Sequence, residues 1–338
     1  MTWASRRAVC LCGLPAAGLL IALVVGSAVA SADSSSPLTP ASAVATATAN
    51  LFWVIVAIAG IIFVGVEGVL FYALFAYRQR PGREAAQFHG STWLEITWTA
   101  IPALILLVVF VLTVKTIVAN QLPAGDPLEI RAVAHQWWWE FDYPAEGITT
   151  ANELHVPVGE RVVVKLSSVD VIHSFWIPSL VPKLDAVPGQ DRTLWFDANQ
   201  PGDYAGRCAE FCGVEHTWML FRVVAQSPDE YAAWIKAQQQ PAPAPTGLAL
   251  QGLQLYQAQT CASCHAIAGT SSNGSVGPSL THVASRWSIG AGVLDNTPDN
   301  LSRWLADPQA FKSGSAMPNY HFGPDDVKAL TAYLETLK

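Results

Sequence analysis

Two long, predominantly apolar stretches stand out early in the chain, at residues 51–77 and 96–118. Each exceeds the roughly 20 residues needed to cross a bilayer, so the pattern predicts a two-helix transmembrane hairpin over 50–119. Glu67 lies deep in the first stretch, where an ionisable side chain usually faces protein. A structural contact with another subunit and a proton-linked role both remain open for it.

The orientation of this hairpin follows from its charges. Its connecting loop carries Arg78, Arg80 and Arg83, whereas residues 33–50 contain no Lys or Arg. Basic loops are retained on the cytoplasmic side. We therefore expect a multi-pass protein of a bacterial-type plasma membrane, with everything after the second helix on the outer face.

The N-terminus is typical of an export signal. Arg6 and Arg7 precede an apolar run at 8–29, and small residues follow at the expected cleavage positions. We assign 1–32 to a signal peptide, although the run is long enough to be an uncleaved anchor. The Ser/Pro/Ala/Thr-rich segment 33–49 is predicted to be an external linker.

The pattern changes to short β-prone runs broken by Pro and Gly, which predicts an all-β sandwich over 120–226. A short helix and a Pro/Ala-rich linker are predicted over 227–246. The final segment, 247–338, is typical of a small all-α domain. The predicted fold class is thus a multi-domain membrane protein comprising a helical hairpin, a β-sandwich and a helical domain.

Composition narrows the possible functions. The 338 residues carry a formal net charge of -7, which leaves no cationic footprint for nucleic acid. The six cysteines form three close pairs, which favours metal or cofactor chemistry over a disulfide framework; the pairs are Cys10/Cys12, Cys208/Cys212 and Cys261/Cys264.

The second cysteine pair lies in a segment rich in metal ligands. Cys208, Cys212, His216 and Met219 fall within twelve residues. Soft sulfur ligands with imidazole favour copper, and two thiolates can bridge two copper ions. Such a pair suits electron relay better than substrate turnover. A structural zinc site is the alternative, but it gives Met219 no role.

A dinuclear site needs a second imidazole, and His173 is the best candidate. With that residue the sequence resembles subunit II of cytochrome c oxidase, in the hairpin, in the motifs around His135, His173 and Asp185, and in the complete Cys-x3-Cys-x3-His-x2-Met segment. The resemblance covers about 50–226 and implies a cupredoxin fold.

That resemblance also implies a ligand set. The dinuclear copper centre, CuA, would be held by five side chains and the Glu210 carbonyl, and the Glu210 side chain would face a magnesium ion shared with subunit I. The side-chain ligands would be His173, Cys208, Cys212, His216 and Met219.

The resemblance assigns four further positions. Trp137 matches the point at which electrons enter from cytochrome c, and Glu95 matches the mouth of a proton channel into subunit I. Trp138 departs from the family, which usually has Tyr there. Asp142 and Asp170 match acidic positions that face cytochrome c, and solvated surface carboxylates are an equal alternative.

The third cysteine pair forms Cys261-Ala-Ser-Cys264-His265, the attachment motif of a c-type haem. Met317 follows about 50 residues later as a candidate distal ligand. This domain resembles a class I cytochrome c, which implies that the Pro278 carbonyl orients His265. A thioredoxin-like redox pair is disfavoured because His265 follows directly. His282 and His321 are expected at the surface or beside the haem propionates.

Together these features predict subunit II of a caa-type cytochrome c oxidase. It would receive electrons from a soluble or membrane-bound cytochrome c and partner with subunit I, and with subunit III. The alternative is a membrane-tethered carrier that serves another terminal reductase. A quinol oxidase subunit would need neither Cys208/Cys212 nor haem c, and a copper-delivery protein would need a site that releases its metal.

Overall fold

A computed structural model describes residues 35–82, 89–122 and 124–338. The predicted signal peptide, 1–32, and Arg83 lie outside the described residues. The described part of the chain begins just before the first helix and includes the two domains that follow the second helix.

Two helices in the described part of the chain are long and apolar enough to cross a membrane, each with a hydropathy of 2.6. They are α1 (Ala43–Ala76) and α2 (Thr92–Ala119). Most of their large apolar side chains are exposed within this chain, as expected of surfaces that lipid or other subunits cover.

The start of α1 corrects the prediction of an external linker over 33–49. The helix begins at Ala43, with the Ser42 hydroxyl accepting from the Ala45 N–H at 2.8 Å. Val44 is buried in the core of the β-sandwich, and the Ala41 N–H donates to the Ser179 carbonyl at 2.8 Å. Residues 43–49 were wrongly assigned because their small residues also form a tight helix–sheet contact.

Ten strands of the described chain form two five-stranded sheets, in the orders β3-β2-β1-β5-β8 and β4-β10-β9-β6-β7. Two pairs are parallel, β1 with β5 and β4 with β10, and the others are antiparallel. The strands are β1 Leu128–His135, β2 Trp138–Tyr143, β3 Ile148–Ala151, β4 Glu153–Pro157, β5 Val162–Ser168, β6 His173–Ile177, β7 Val181–Ala186, β8 Arg192–Phe196, β9 Gly202–Cys208 and β10 Leu220–Gln226.

The core of this sandwich is aromatic and extends to the sulfur-containing residues. Trp139, Phe141, Phe175 and Phe221 pack against one another, with Phe175 and Phe221 stacked at 4.7 Å between ring centroids. Cys208, Cys212 and Met219 belong to the same buried cluster. Packing in the core therefore holds these three candidate ligands in place.

Helix α3 (Pro228–Gln238) follows the sandwich as the sequence predicts. It begins with a capping box in which Ser227 and Glu230 satisfy each other's backbone N–H groups. Its Trp234 ring stacks on His155 at 4.2 Å, which fixes the helix against β4. The Pro/Ala linker then leads into the last domain.

The C-terminal domain is mainly helical, as predicted, and surrounds a second buried cluster. Helices α4 and α7 pack against each other through Tyr256 and Tyr333. The domain also contains a two-stranded β-ribbon of β11 and β12. Its elements are α4 Leu248–Ala258, α5 Cys261–Cys264, β11 Ser288–Ile289, β12 Leu294–Asp295, α6 Pro298–Ala306 and α7 Pro324–Leu334.

The two outer domains are in direct contact. Trp138 and Ala151 of the sandwich form a buried cluster with Ala291 of the helical domain. The Leu220 N–H, at the start of β10, donates to the Ala291 carbonyl at 3.1 Å. We call this contact region, which also includes Glu153, Trp287, Gly290 and Lys312, the domain seam.

Replacing Phe175 by alanine tests the importance of the aromatic core. Phe175 is fully buried, so Phe175→Ala should lower the free energy of unfolding of the sandwich by about 3–5 kcal/mol through lost contacts and a residual cavity. Denaturant unfolding of the detergent-solubilised chain, followed by tryptophan fluorescence, measures this. Val169→Ala, at a side chain that is 61% exposed, is the control and should change stability by less than about 0.5 kcal/mol. Equal losses in the two variants would contradict the assigned core.

Candidate metal centre and haem pocket

The candidate metal ligands come together at one edge of the sandwich, near the start of β6, the end of β9 and the start of β10. Cys208 is the last residue of β9, and Met219 directly precedes β10. The Cys208 N–H donates to the Met219 carbonyl at 3.1 Å, which closes the intervening segment, here called the copper loop (209–219). His173 begins β6, the neighbour of β9, so sheet pairing brings it beside Cys208.

Each of the other three side chains lies within 3.8 Å of one of the two cysteine sulfurs. The two Sγ atoms of Cys208 and Cys212 are 3.8 Å apart. His173 Nδ1 is 3.8 Å from Cys208 Sγ, and His216 Nδ1 is 3.6 Å from Cys212 Sγ. Met219 Sδ is 3.8 Å from Cys212 Sγ. The sixth expected ligand atom, the Glu210 carbonyl oxygen, is 3.2 Å from Cys208 Sγ.

The donor set fits a soft metal. His173, Cys208 and Cys212 offer ligand atoms that all lie within 4.8 Å of one another, and all three residues are buried. Two central thiols with a flanking imidazole and thioether suit copper and do not suit magnesium or calcium. The geometry thus accommodates the copper pair predicted from the sequence.

Electrostatics favour deprotonation within this cluster. A hydrogen bond with Cys212 lowers the pKa of the Cys208 thiol. Contact with Cys208 raises the pKa of the Cys212 thiol. The pair therefore loses its first proton easily and retains the second. Since metal binding requires thiolates, binding of a cation would release that second proton.

Asp170 orients His173. Its Oδ1 is 2.8 Å from His173 Nε2, which leaves His173 Nδ1 facing the thiols. Burial alone would raise the pKa of Asp170, but hydrogen bonds from His173, Val171 and Gln136 hold it below its usual value. Asp170 thus contacts the candidate ligand His173 and is also exposed to solvent.

Trp137 lies against the copper loop. Its indole N–H donates to the Cys212 carbonyl at 3.0 Å, and the Gln136 side-chain amide donates to the same oxygen at 2.6 Å. Gly213 permits this approach, because it has a φ of 128° and a Cβ there would lie 2.8 Å from the Trp137 ring. The ring is therefore one hydrogen bond away from a candidate copper ligand.

The second candidate site is an apolar cavity in the helical domain. Cys261, Cys264, His265 and Met317 all line it. His265 Nδ1 is 2.7 Å from the Pro278 carbonyl oxygen, the contact expected for an oriented axial imidazole. Gly277 lies so close to the His265 ring that any Cβ would collide with it. Burial lowers the pKa of His265, which favours the neutral, ligating form.

Three residues at these sites carry no sequence motif. The Trp304 indole N–H donates to Met317 Sδ at 3.2 Å and so holds the candidate distal ligand. Arg286 is buried in the cavity wall and donates to the Ser279 carbonyl. Lys312 is buried in the domain seam, where burial lowers its pKa to about 7 while Glu215 and Cys212 oppose that shift. A lone cation in a loop has no sequence signal that distinguishes it from a solvated one.

The metal centre adjoins the haem cavity, because Trp137, which contacts the copper loop, also lines that cavity, as does Trp138. The exceptional Trp138 is 7% exposed and stacks on His135 at 4.0 Å between centroids. Its larger apolar surface packs against Ala291 across the seam. This contact explains how a tryptophan is accommodated where the family usually has tyrosine.

Two histidines differ in their surroundings. His321 is exposed, as expected. His282 is buried instead, with its two ring nitrogens 2.8 and 2.9 Å from the carbonyl oxygens of Lys338 and Gln238. The surface or propionate role predicted for it is wrong, since it joins the C-terminus to the end of α3.

The two acidic residues of the hairpin lie apart from both sites. Glu95 is exposed in the first turn of α2, next to the connecting loop. Glu67 is half-buried in α1.

All three regions of the chain match known protein families. Residues 33–115 match the cytochrome c oxidase subunit II transmembrane domain, 146–227 its periplasmic domain, and 249–338 cytochrome c. Cytochrome c oxidase subunit 2 of Alkalihalophilus pseudofirmus is 41% identical over 81% of this chain and 82% of its own length. The corresponding protein of Bacillus subtilis is 35% identical over 80% and 82%. The crystal structure of the periplasmic domain of subunit II of cytochrome oxidase from Bradyrhizobium japonicum is 31% identical, with a TM-score of 0.34, over 35% of this chain and 96% of that chain.

Membrane-type helices, an outer β-sandwich with a sulfur-rich metal cluster and a cytochrome c domain together define a membrane protein of electron transfer. The chain belongs to the cytochrome c oxidase subunit II family and carries a C-terminal cytochrome c domain. It is a subunit of a cytochrome c oxidase and partners with other subunits of that complex. The resemblance and the fold class predicted from the sequence are confirmed.

Substitution of Asp170 tests the orientation of His173. Asp170→Asn removes the anionic acceptor at His173 Nε2, so copper affinity should fall about 10–100-fold while the chain stays folded. Competition with a copper chelator, using the full chain, measures this. Asp142→Asn is the matched control, because Asp142 accepts from Thr149 and does not contact the cluster. Unchanged affinity in Asp170→Asn would show that the carboxylate does not support the ligand.

Proposed function

We propose that this chain passes electrons from a cytochrome c donor, through its own haem c and a CuA centre, to haem a of subunit I. There oxygen would be reduced to water with coupled proton pumping. The observation that carries this proposal is a pair of adjacent buried thiols with two imidazoles, a thioether and a carbonyl each within 3.8 Å of one of the two sulfurs, beside a pocket that holds a haem-attachment motif.

Each copper-binding role follows from a contact. Cys208 and Cys212 would bridge two copper ions, since their sulfurs are central and both imidazoles lie outside them. The remaining proposed ligands are His173, His216, Met219 and the Glu210 carbonyl. A bound copper pair would supply one-electron redox chemistry with little change in its bonds. The buried core behind the cluster would hold the ligands fixed and exclude water.

The haem-binding roles are equally specific. Cys261 and Cys264 would form thioethers with the haem vinyl groups, and His265 and Met317 would be the axial ligands. Pro278 would fix the imidazole through its carbonyl, and Trp304 would hold the methionine sulfur. A His/Met-ligated haem supplies an electron carrier of raised potential.

Trp137 is proposed as the point at which electrons reach the copper centre. It is supported by its hydrogen bond to the Cys212 carbonyl and by its place in the wall of the haem cavity. Both contacts would lie on the electron path if the electrons come from the haem of the same chain.

The face proposed to meet subunit I surrounds the copper loop. Phe211 and Val214 are each 76% exposed there, beside the exposed Glu210. Apolar side chains clustered at such a site are typical of a surface that another subunit covers. The Glu210 side chain would help to bind a magnesium ion shared with subunit I, and Glu95 would lie at the mouth of a proton channel. Subunit III is a further expected partner.

The proposed location is a bacterial-type plasma membrane, crossed by both helices, with the copper and haem domains on the outer face. The basic residues of the connecting loop, Arg78, Arg80 and Arg83, support this topology. The alternative function, a tethered CuA/haem c carrier for another reductase, shares every site. Co-purification with a twelve-helix haem-copper subunit that consumes oxygen would separate the two.

The test uses the full chain matured in a host that attaches c-type haem. We expect two coppers and one covalent haem per chain, a mixed-valence copper EPR signal, and transfer of electrons from reduced haem to copper. Cys212→Ser should abolish the mixed-valence signal without changing haem content, because Cys212 lies outside the haem pocket.

The matched control is Cys261→Ser, which should weaken covalent haem attachment and leave the copper signal intact. A single copper or a zinc ion in the wild-type chain, without mixed valence, would overturn the CuA assignment.

A further inference from the structure

Lys312 is a buried cation in the wall of the haem cavity, and it is not one of the candidate haem or copper ligands. It follows a short turn at Pro308–Ala310, five residues before Met317, and is only 3% exposed. Lysine is rarely buried so completely unless its charge is satisfied. A specific role for its ammonium group is therefore required.

The ammonium group is fully hydrogen-bonded, and its partners come from both domains. Lys312 Nζ donates to the Trp137 carbonyl at 2.7 Å and to the Trp218 carbonyl at 2.6 Å, both in the sandwich. It donates to the Gly290 carbonyl of its own domain at 2.9 Å. Three carbonyl acceptors need three N–H groups, which only the protonated amine has, so these bonds favour the charged form against the effect of burial.

These acceptors lie at the two candidate redox sites. Trp137 contacts the Cys212 carbonyl through its ring, and Trp218 directly precedes Met219. On the other side, Lys312 shares its loop with Met317, and Gln309 of that loop donates to the Met317 carbonyl at 2.7 Å. One side chain thus joins the backbone of the copper loop to the segment that carries the distal haem ligand.

We propose that Lys312 is a positioning residue that holds the haem domain against the copper loop in the pose from which electrons cross to copper. The inference rests on the proposed function and adds the element that fixes the distance between the two centres. Electron tunnelling falls steeply with distance, so a few ångströms of separation would slow transfer.

Because other contacts also hold the seam, we expect a change of Lys312 to weaken the seam only in part. The Glu153 carboxylate accepts from the Trp287 N–H at 2.5 Å, and the Arg222 guanidinium lies 5.1 Å from the centroid of the Trp287 ring. These contacts and the Trp138–Ala291 packing remain when Lys312 is changed. The seam should then open more often without separating permanently.

The test compares Lys312→Met with Lys328→Met in the full chain. Methionine is of similar length and cannot donate, so three buried carbonyls lose their partner. Lys328 lies on α7 and is exposed, which makes it the matched control. Lys312→Gln, whose amide keeps two donors, should be intermediate and provides a second variant if methionine prevents folding.

The first readout is hydrogen exchange and requires no redox activity. The Leu220 and Trp287 amides donate across the seam, so their exchange reports its opening. In Lys312→Met their exchange should accelerate about tenfold or more, because charged hydrogen bonds that stabilise the closed seam are lost. The Ala284 amide, bonded within the haem domain to the Leu337 carbonyl, should be unaffected.

The second readout is electron transfer from photoreduced haem to copper, measured at increasing solvent viscosity. We expect a viscosity-independent rate in wild type and in Lys328→Met. In Lys312→Met the rate should be lower and viscosity-dependent, with unchanged haem absorption and copper EPR. Unchanged exchange, or faster exchange with an unchanged and viscosity-independent rate, would overturn the proposal. A failure of the proposed function would differ, since the wild-type chain itself would not transfer electrons.

Discussion

The hydrogen bond from the Cys208 N–H to the Met219 carbonyl is the constraint on which the rest of the functional region depends. It continues the β9–β10 ladder to its last possible pair and forces residues 209–219 into a closed loop. Because Cys208, Cys212 and Met219 belong to the sandwich core, that loop is held by packing as well as by its ends. A preorganised cluster of this kind changes little on gaining or losing an electron.

The same loop provides the points at which the haem domain is attached. Its Trp218 carbonyl accepts from Lys312 of the haem domain. The residue that follows it, Leu220, donates to Ala291 of the haem domain. Ligand geometry and domain docking therefore both involve one short segment.

Local sequence spacing was sufficient to predict the copper loop and the haem-attachment motif, because their ligands lie within a few residues of one another. The family pattern, and not local spacing, indicated that His173 lies near Cys208. The roles of Asp170, His282 and Lys312 could not be predicted in this way. Lys312, for example, contacts a carbonyl 175 positions away, and backbone carbonyls leave no trace in a sequence. The helical start at Ala43 was missed for a related reason, since the segment has the composition of a linker and the packing of Val44 against the sandwich has no local sequence signal.

Covalent fusion alone does not place the haem beside the copper. The Pro/Ala-rich linker after α3 raises the local concentration of the haem domain, but a linker sets no orientation. Orientation requires directional contacts, and the seam supplies them through the Trp287–Glu153 hydrogen bond and the two bonds from Lys312 to the sandwich. The haem domain covers Trp137, which the family pattern assigns to an external cytochrome. In this pose an external donor would meet the haem domain first, and Trp137 would serve the haem of its own chain.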